Sequence, residues 1–399
     1  MNASFQSQLE AGLDALRAAG TYKHLRHITG PMAPEVHMEE AGDVIVLSSN
    51  NYLGLADHPE VVAAGIEGLK KYGAGTASVR FICGTFDIHR DLEDEIASVF
   101  GFEASLSYVS CWTANEGVIP TIATKGNTII SDELNHASII DACRLAGAKR
   151  ARYKHGDMAE LEAQLRAAEG TPFIVTDGVF SMEGSIAKLP EIVALAEQYD
   201  AVTIVDDSHG TGVMGKTGRG TIEHFGLEGK IDILTGTLGK ALGGAAGGFV
   251  AGSKALVDTL VQRSRTQLFS NALPATVACS ALKAIELLAS QPQLVEAQRA
   301  NVRYFREGLQ RLGFKPLDGP SAIVPIIVGD TAFAIAMSDR LLQEGVFVTG
   351  FGFPVVPEGT ARVRVQISSA LTREELDRAL AAFDKVGREL GLIGEAAHA

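Results

Sequence analysis

From Val44 to Gly252 the chain repeats one unit, a short run of consecutive apolar residues followed by an amphipathic stretch with helical spacing. VIVLSS (44–49) precedes 59–72, ASLSYVS (104–110) precedes 112–124, TIISDE (128–133) precedes 137–146, and FIVTDG (173–178) precedes 190–199. VTIVDD (202–207), ILTGTLG (233–239) and GGFVAG (247–252) complete the series. A strand that is apolar on both faces needs a helical layer on each, so the pattern predicts a mostly parallel, doubly wound α/β sheet. We assign that large domain to residues 44–275. After it the texture changes to two long helical stretches (274–290 and 294–312), then IVPIIV, a helix near 331–344, VFVTGF, ARVRVQIS and a last helix at 372–391. Helices on a small sheet predict a C-terminal α+β domain over 276–399. Residues 1–43 read as an N-terminal arm whose first helix places Phe5, Leu9, Leu13 and Leu16 on one stripe, and the terminal GEAAHA reads as frayed.

Composition narrows the function. Lys+Arg 35 against Asp+Glu 48 gives a net charge of −13, which repels nucleic-acid backbones and anionic lipid. No apolar run approaches the roughly 18 residues that cross a bilayer, and the N-terminal segment is acidic and amphipathic, unlike a basic, apolar leader. The expectation is a cytoplasmic enzyme. Cys83, Cys111, Cys143 and Cys279 form no C-x-x-C pair, so they read as reduced thiols and not as a zinc site.

One motif match misleads. Gly210 to Thr217 fits G-x-x-x-x-G-K-T after a strand, which alone would mean a nucleotide-binding loop. Such a loop must open a helix whose amides hold the phosphates, and Gly218-Arg219-Gly220 would break one at once. A glycine-rich turn is the better reading.

A second constellation is richer. Four segments fall where strands should end, the edge at which open α/β sheets bind ligands: Ser110-Cys111-Trp112-Thr113-Ala114-Asn115, Asn135-His136-Ala137-Ser138, Asp206-Asp207-Ser208-His209 and Thr235 to Lys240. Together they offer an anion cradle, an imidazole, a carboxylate and a lysine. Pyridoxal phosphate uses all four: a lysine for the Schiff base, a carboxylate to keep the pyridine nitrogen protonated, a flat group on the ring, and amides or hydroxyls for the phosphate.

Along nearly its whole length the chain resembles the α-oxoamine synthases, a family of fold-type I pyridoxal-phosphate enzymes. The resemblance rests on Asn50-Asn51-Tyr52-Leu53-Gly54, the runs Ser78–Thr85 and Asp132–Asp141, Val205–His209, and Thr235–Gly244. Within the family, SVRFICGT, TGTLGKALGG and TGFGFPVVP look most like the branch that joins glycine to acetyl-CoA. The resemblance implies a homodimer with a shared active site, pyridoxal 5'-phosphate as cofactor, no metal, and glycine and an acyl-CoA as substrates. It puts the Schiff-base lysine at Lys240, the pyridinium partner at Asp206 and the ring-stacking imidazole at His136. His209 would approach the phenolic oxygen, with Ser181 nearby. The phosphate would meet Ser110, the amides of Cys111 and Trp112, the Thr237 hydroxyl, and Ser270 from a second subunit. Asn50 and Arg364 would hold the amino-acid carboxylate.

Other readings of these residues stay open at this point. Asp206 with Asp207 and His209 also suits a hard metal ion. His136 also suits a helix cap, and Arg364, alternating with apolar neighbours and Arg362, also suits a solvated strand face. Two positions depart from the family pattern, Leu371 where relatives tend to carry His, and Trp112 where they carry a smaller aromatic.

Overall fold

A computed structural model describes residues 2–353 and 355–394; Met1, Pro354 and Glu395 to Ala399, which include most of the GEAAHA tail, lie outside the described residues. The strands, in chain order, are β1 (Glu35–Met38), β2 (Gly42–Val46), β3 (Ala104–Tyr108), β4 (Thr128–Asp132), β5 (Lys149–Tyr153), β6 (Pro172–Asp177), β7 (Val202–Asp206), β8 (Ile233–Thr237), β9 (Gly248–Gly252), β10 (Ile323–Gly329), β11 (Val346–Phe347), β12 (Thr349–Phe351) and β13 (Ala361–Gln366).

The apolar runs of the large domain form a seven-stranded sheet in the order β3-β9-β8-β7-β6-β4-β5. It is parallel from β8 through β7, β6 and β4 to β5, and only β9 runs against its neighbours β3 and β8. β4, β6 and β9 are buried at every position and β7 and β8 at all but one end, which is why they read as continuous apolar runs. One face packs in a core with Leu92, Ile130, Ile174, Val205 and Phe249, and the other in a second core with Val118, Ile129, Val175, Ile204 and Val250. Neighbouring residues of one strand thus serve opposite layers. The central strand β7 ends at Asp206, in register with Asp177 of β6 and Thr235 of β8, so their carboxyl ends share one crevice.

Two small sheets contribute to a separate body with its own core. β10, β13 and β12 pair antiparallel, and helices Gln293–Leu312, Thr331–Gln343 and Arg373–Glu389 pack there through Phe305, Met337, Leu376 and Phe383. The last helix starts at a capping box between Thr372 and Glu375, which satisfies otherwise orphaned amides. Val44–Val46, which the sequence places first in the large sheet, instead lies in β2, pairing with β1 and with β11. An apolar run carries no information about which sheet completes it. Leu47 continues into this second body, where its carbonyl accepts the Gln366 N–H at 2.8 Å, and the chain then crosses to the large core at Tyr52 and Leu53. That crossing brings Asn50 and Tyr52 beside β13.

Candidate active site

The helix Cys111–Ile122 begins where β3 leads into Ser110. Ser110 caps it, its hydroxyl accepting the Thr113 N–H at 3.1 Å while the Thr113 hydroxyl accepts the Ser110 N–H at 3.2 Å. The amides of Cys111 and Trp112 are first-turn donors that no helical carbonyl can reach, and the helix dipole adds positive potential there. Strand β9 runs tight against this turn: a Cβ on Gly248 would lie 2.3 Å from the Cys111 nitrogen, so only glycine fits. Thr237 stands at the end of β8, its hydroxyl bonded to the Gly247 carbonyl at 3.2 Å and accepting the Gly239 N–H at 3.1 Å. The anion cradle expected from sequence therefore has its backbone in place. Burial pushes the Cys111 thiol pKa well up, which disfavours the nucleophilic thiolate.

Asp206 is 4% exposed at the floor of the crevice. Its Oδ1 accepts the Ser208 N–H at 3.0 Å and its Oδ2 accepts the Asn115 side-chain amide at 2.6 Å. Lys240 follows β8, its amine 2.8 Å from His209 Nε2, and His209 Nδ1 is 2.8 Å from the Tyr52 hydroxyl. With the Lys240 amine donating to Nε2, His209 in turn donates from Nδ1 to Tyr52. Burial holds the His209 pKa well below its usual value, with Lys240 adding to the effect, which favours the neutral imidazole this chain of bonds needs. Burial also lowers the pKa of Lys240 and raises that of Tyr52 to about 12.

The network continues into the small domain. Gln366 donates to Tyr52 Oη at 2.7 Å and to Asn50 Oδ1 at 2.6 Å, and accepts from Arg364 Nη2 at 3.1 Å. Arg364 Nη1 donates to the Ser181 carbonyl at 2.8 Å, its guanidinium lies 4.7 Å from the Phe351 ring centre, and its Nε is buried without a partner among the described residues. The solvated-face reading of Arg364 fails: burial lowers its pKa, and the side chain is directed into the crevice network. Arg362, on the same strand face, is 3% exposed and serves differently, binding Glu183 at 2.9 Å and the Met182 carbonyl at 3.0 Å. It pins β13 to the turn that carries Ser181.

His136 caps the helix Ala137–Leu145, its Nδ1 accepting the Ser138 N–H at 3.2 Å, while its ring is open to solvent on one side and meets Trp112 edge-on at 5.9 Å. The helix-cap reading of His136 holds, and capping fixes the plane of a ring that solvent reaches. Trp112 is 39% exposed at the rim. Leu371 is buried in the C-terminal core with Leu376 and Val365, so that departure is a packing change. Ser270 lies on the surface turn after the helix Arg265–Leu268, its hydroxyl bonded to the Asn271 carbonyl at 3.3 Å.

The rival readings lose their structural support. Asp207 points away from Asp206: its Oδ2 accepts the Thr221 N–H at 2.7 Å and its Oδ1 the Thr221 hydroxyl at 2.9 Å. Among the described residues, the one group of His, Cys, Asp and Glu side chains close enough to share an ion is His27, Glu39 and Glu40 on the surface. Gly210 to Thr217 runs through turns, and the next helix, Thr221–Phe225, starts only after Gly220. Thr217 there is bonded to Glu223 through both its N–H and its hydroxyl, which closes the loop to phosphate. Sequence reasoning gave no role to Asn115, Tyr52 or Gln366, which the fold brings to the centre of the site; the first two stand inside quoted motifs, and that was their only signal.

The lowered pKa of Lys240 carries a stability prediction. Between that pKa and the model-peptide value of about 10.4, the unfolded chain binds a proton that the folded apoprotein does not, so stability gains as pH rises. Urea unfolding of the apoprotein from pH 8 to 10 should show this gain, and Lys240→Met should lack it. Parallel curves for the two proteins would contradict the burial argument.

Comparison with known proteins agrees with this geometry. The sequence model of the family "Aminotransferase class I and II" matches residues 42–383. The chain is 50% identical to an 8-amino-7-oxononanoate synthase of Symbiobacterium thermophilum, over 96% of this chain and 97% of the relative. It is 45% identical to the 2-amino-3-ketobutyrate coenzyme A ligase of Escherichia coli K12, over 98% and 100%. The serine palmitoyltransferase of Sphingomonas wittichii superposes with a TM-score of 0.93 at 32% identity, covering 99% of this chain and all of that one. A second solved serine palmitoyltransferase, from S. paucimobilis, carries a pyridoxal-phosphate adduct and superposes with a TM-score of 0.92 at 32% identity, over 98% and 100%. The groups of the crevice fit that cofactor: free amides at a helix start, a buried carboxylate with its own supports, and a lysine of lowered pKa. The chain is a pyridoxal-phosphate enzyme of fold type I and belongs to the α-oxoamine synthase family.

Proposed function

We propose that this enzyme joins glycine to the acetyl group of acetyl-CoA, giving 2-amino-3-oxobutyrate and CoA, and that the same site runs the reverse cleavage that ends threonine breakdown. The observation that carries the amino-acid side of the reading is Arg364. A buried guanidinium with an unpartnered Nε, tied through Gln366 to Asn50 and through Tyr52 and His209 to Lys240, suits a small carboxylate whose amine lies toward the lysine. Relatives named 2-amino-3-ketobutyrate coenzyme A ligase, 45% identical over the whole of their length, support acetyl-CoA as the donor.

Pyridoxal phosphate, when bound, supplies an electron-withdrawing ring that makes the amino acid's Cα–H acidic. Cys111 and Trp112 amides, Ser110 and Thr237 would hold the phosphate, Asp206 would support the protonated ring nitrogen, and His136 would lie against the ring. Arg364 and Asn50 fix the carboxylate and so the direction of the Cα–H bond. Lys240, whose burial lowers its pKa and so favours the neutral amine, takes that proton, and His209 keeps the amine in line. The glycine Cα then bonds to the acetyl carbonyl carbon as the C–S bond breaks and CoA leaves as the thiol.

The structure also suits a homodimer. The helix Ala3–Ala18 buries no residue, leaving Phe5, Leu9, Leu13 and Leu16 exposed along one side. Phe81, Ile82 and Phe269 are also exposed, on segments joined by the Ala272 N–H to Ser78 carbonyl bond of 3.1 Å. A second copy covering these surfaces would bring Ser270 toward its phosphate site. The active enzyme should sediment at twice the chain mass of 42.1 kDa; full activity at the monomer mass would contradict the shared site.

A second reading, a longer acyl donor or another amino acid, is favoured by the 50% identical 8-amino-7-oxononanoate synthase. Thioesters of increasing chain length, assayed for CoA release with glycine, alanine and serine, separate the two. The proposal expects the highest kcat/KM for acetyl-CoA with glycine, and an optimum at long chains or with alanine would favour the second reading. For Arg364→Lys, which keeps the charge and loses the two-pronged donor, the KM for glycine should rise and kcat/KM should fall by about 1.5–3 kcal/mol, with the bound cofactor's absorption unchanged. Unaltered glycine kinetics would remove Arg364 from the carboxylate site.

A further inference from the structure

Asn115 stands one turn beyond Cys111 on the helix whose start cradles the phosphate, and it is 1% exposed. Its side chain is bonded on every side. Nδ2 donates to Asp206 Oδ2 at 2.6 Å and to Ser138 Oγ at 2.9 Å, and Oδ1 accepts the Thr235 hydroxyl at 2.9 Å. The orientation is fixed chemically, because a carboxylate can only accept and so requires the NH2 end. Ser138 Oγ lies in turn 2.8 Å from His136 Nδ1. One amide thus joins the Asp206 carboxylate to the His136 imidazole and anchors both to Thr235 in the middle of β8.

We infer that Asn115 is a positioning residue that aligns Asp206 and, through Ser138, His136 with the cofactor ring, so that the helix Cys111–Ile122 sets the phosphate and the pyridine nitrogen from a single rigid element. The inference rests on the assignment of Asp206 to that nitrogen. Carboxylate oxygens that lose a donor rotate toward others, here toward Ser208 and Lys240, and the carboxylate leaves the line of the ring N–H. Removing Asn115 therefore weakens proton removal from glycine without touching the groups that hold glycine itself.

The test uses the holoenzyme. Asn115→Leu keeps volume and removes all three bonds; Thr235→Val removes only the anchor, and Thr235→Ser keeps its hydroxyl. Exchange of the glycine Cα proton into D2O should fall about 10- to 100-fold in Asn115→Leu, the size of a lost hydrogen bond to a charged group, with the KM for glycine within about twofold. With 15N-labelled cofactor, the ring-nitrogen shift should move toward its unprotonated value. Thr235→Val should lie between wild type and Asn115→Leu, and Thr235→Ser should recover most of the loss, which keeps the test alive if Asn115→Leu fails to fold. In an Asp206→Asn background, Asn115→Leu should add little, because both act through one carboxylate. Additive losses, or a wild-type shift and exchange rate in Asn115→Leu, would overturn the inference while leaving Asp206 in place. Wild-type exchange in Asp206→Asn itself would instead overturn the assignment on which it rests.

Discussion

The site is organised around a carboxylate that cannot be left alone. Asp206 ends the central strand with almost no solvent contact, and a buried carboxylate costs several kcal/mol unless donors replace its water. The fold supplies Asn115 from a helix and the Ser208 N–H from its own turn, with the Lys240 amine close enough to feel its charge. Each of these is placed by another constraint. Asn115 follows from the Ser110 cap and the glycine at 248 that lets β9 press on the helix start. Lys240 follows from β8 and is held by His209, which Tyr52 and then Gln366 fix from the second body. The carboxylate is thus the point at which the two cores are joined chemically.

This linkage explains why the arginine proposed to hold the substrate carboxylate comes from the small domain. Arg364 has its guanidinium over Phe351 and against the Ser181 carbonyl, while Arg362, two residues earlier on the same face, is clamped to Glu183 and Met182. The clamp holds the strand and leaves its neighbour with an open Nε. Two arginines of identical pattern in ARVRVQIS therefore divide into an anchor and a binder, and only the contact made by each reveals the division.

Much of this was legible in the sequence. Strands buried on both faces announce themselves as apolar runs, and Lys240, Asp206, His136 and His209 sit in motifs at strand ends, where chemistry is expected. Other parts were not. β5, with Lys149, Arg150 and Arg152 exposed along an edge, has no apolar run, and the helix Asp87–Phe100 shows its apolar stripe only as single residues among charges. Val44–Val46 looked like the other strands because apolar runs do not name their partners. Gln366 and Tyr52 are 314 residues apart, and nothing local to either signals the bond between them. The Leu371 departure looked chemical from the motif around it and proves to be core packing.

The most direct test of the account is the covalent position of the cofactor. Borohydride reduction of the yellow holoenzyme, followed by proteolysis and mass spectrometry, should give one pyridoxyl-modified peptide carrying Lys240, with the visible absorption bleached in proportion. The modification on another lysine, or a colourless protein that cannot be reconstituted with pyridoxal phosphate, would contradict the account at its centre.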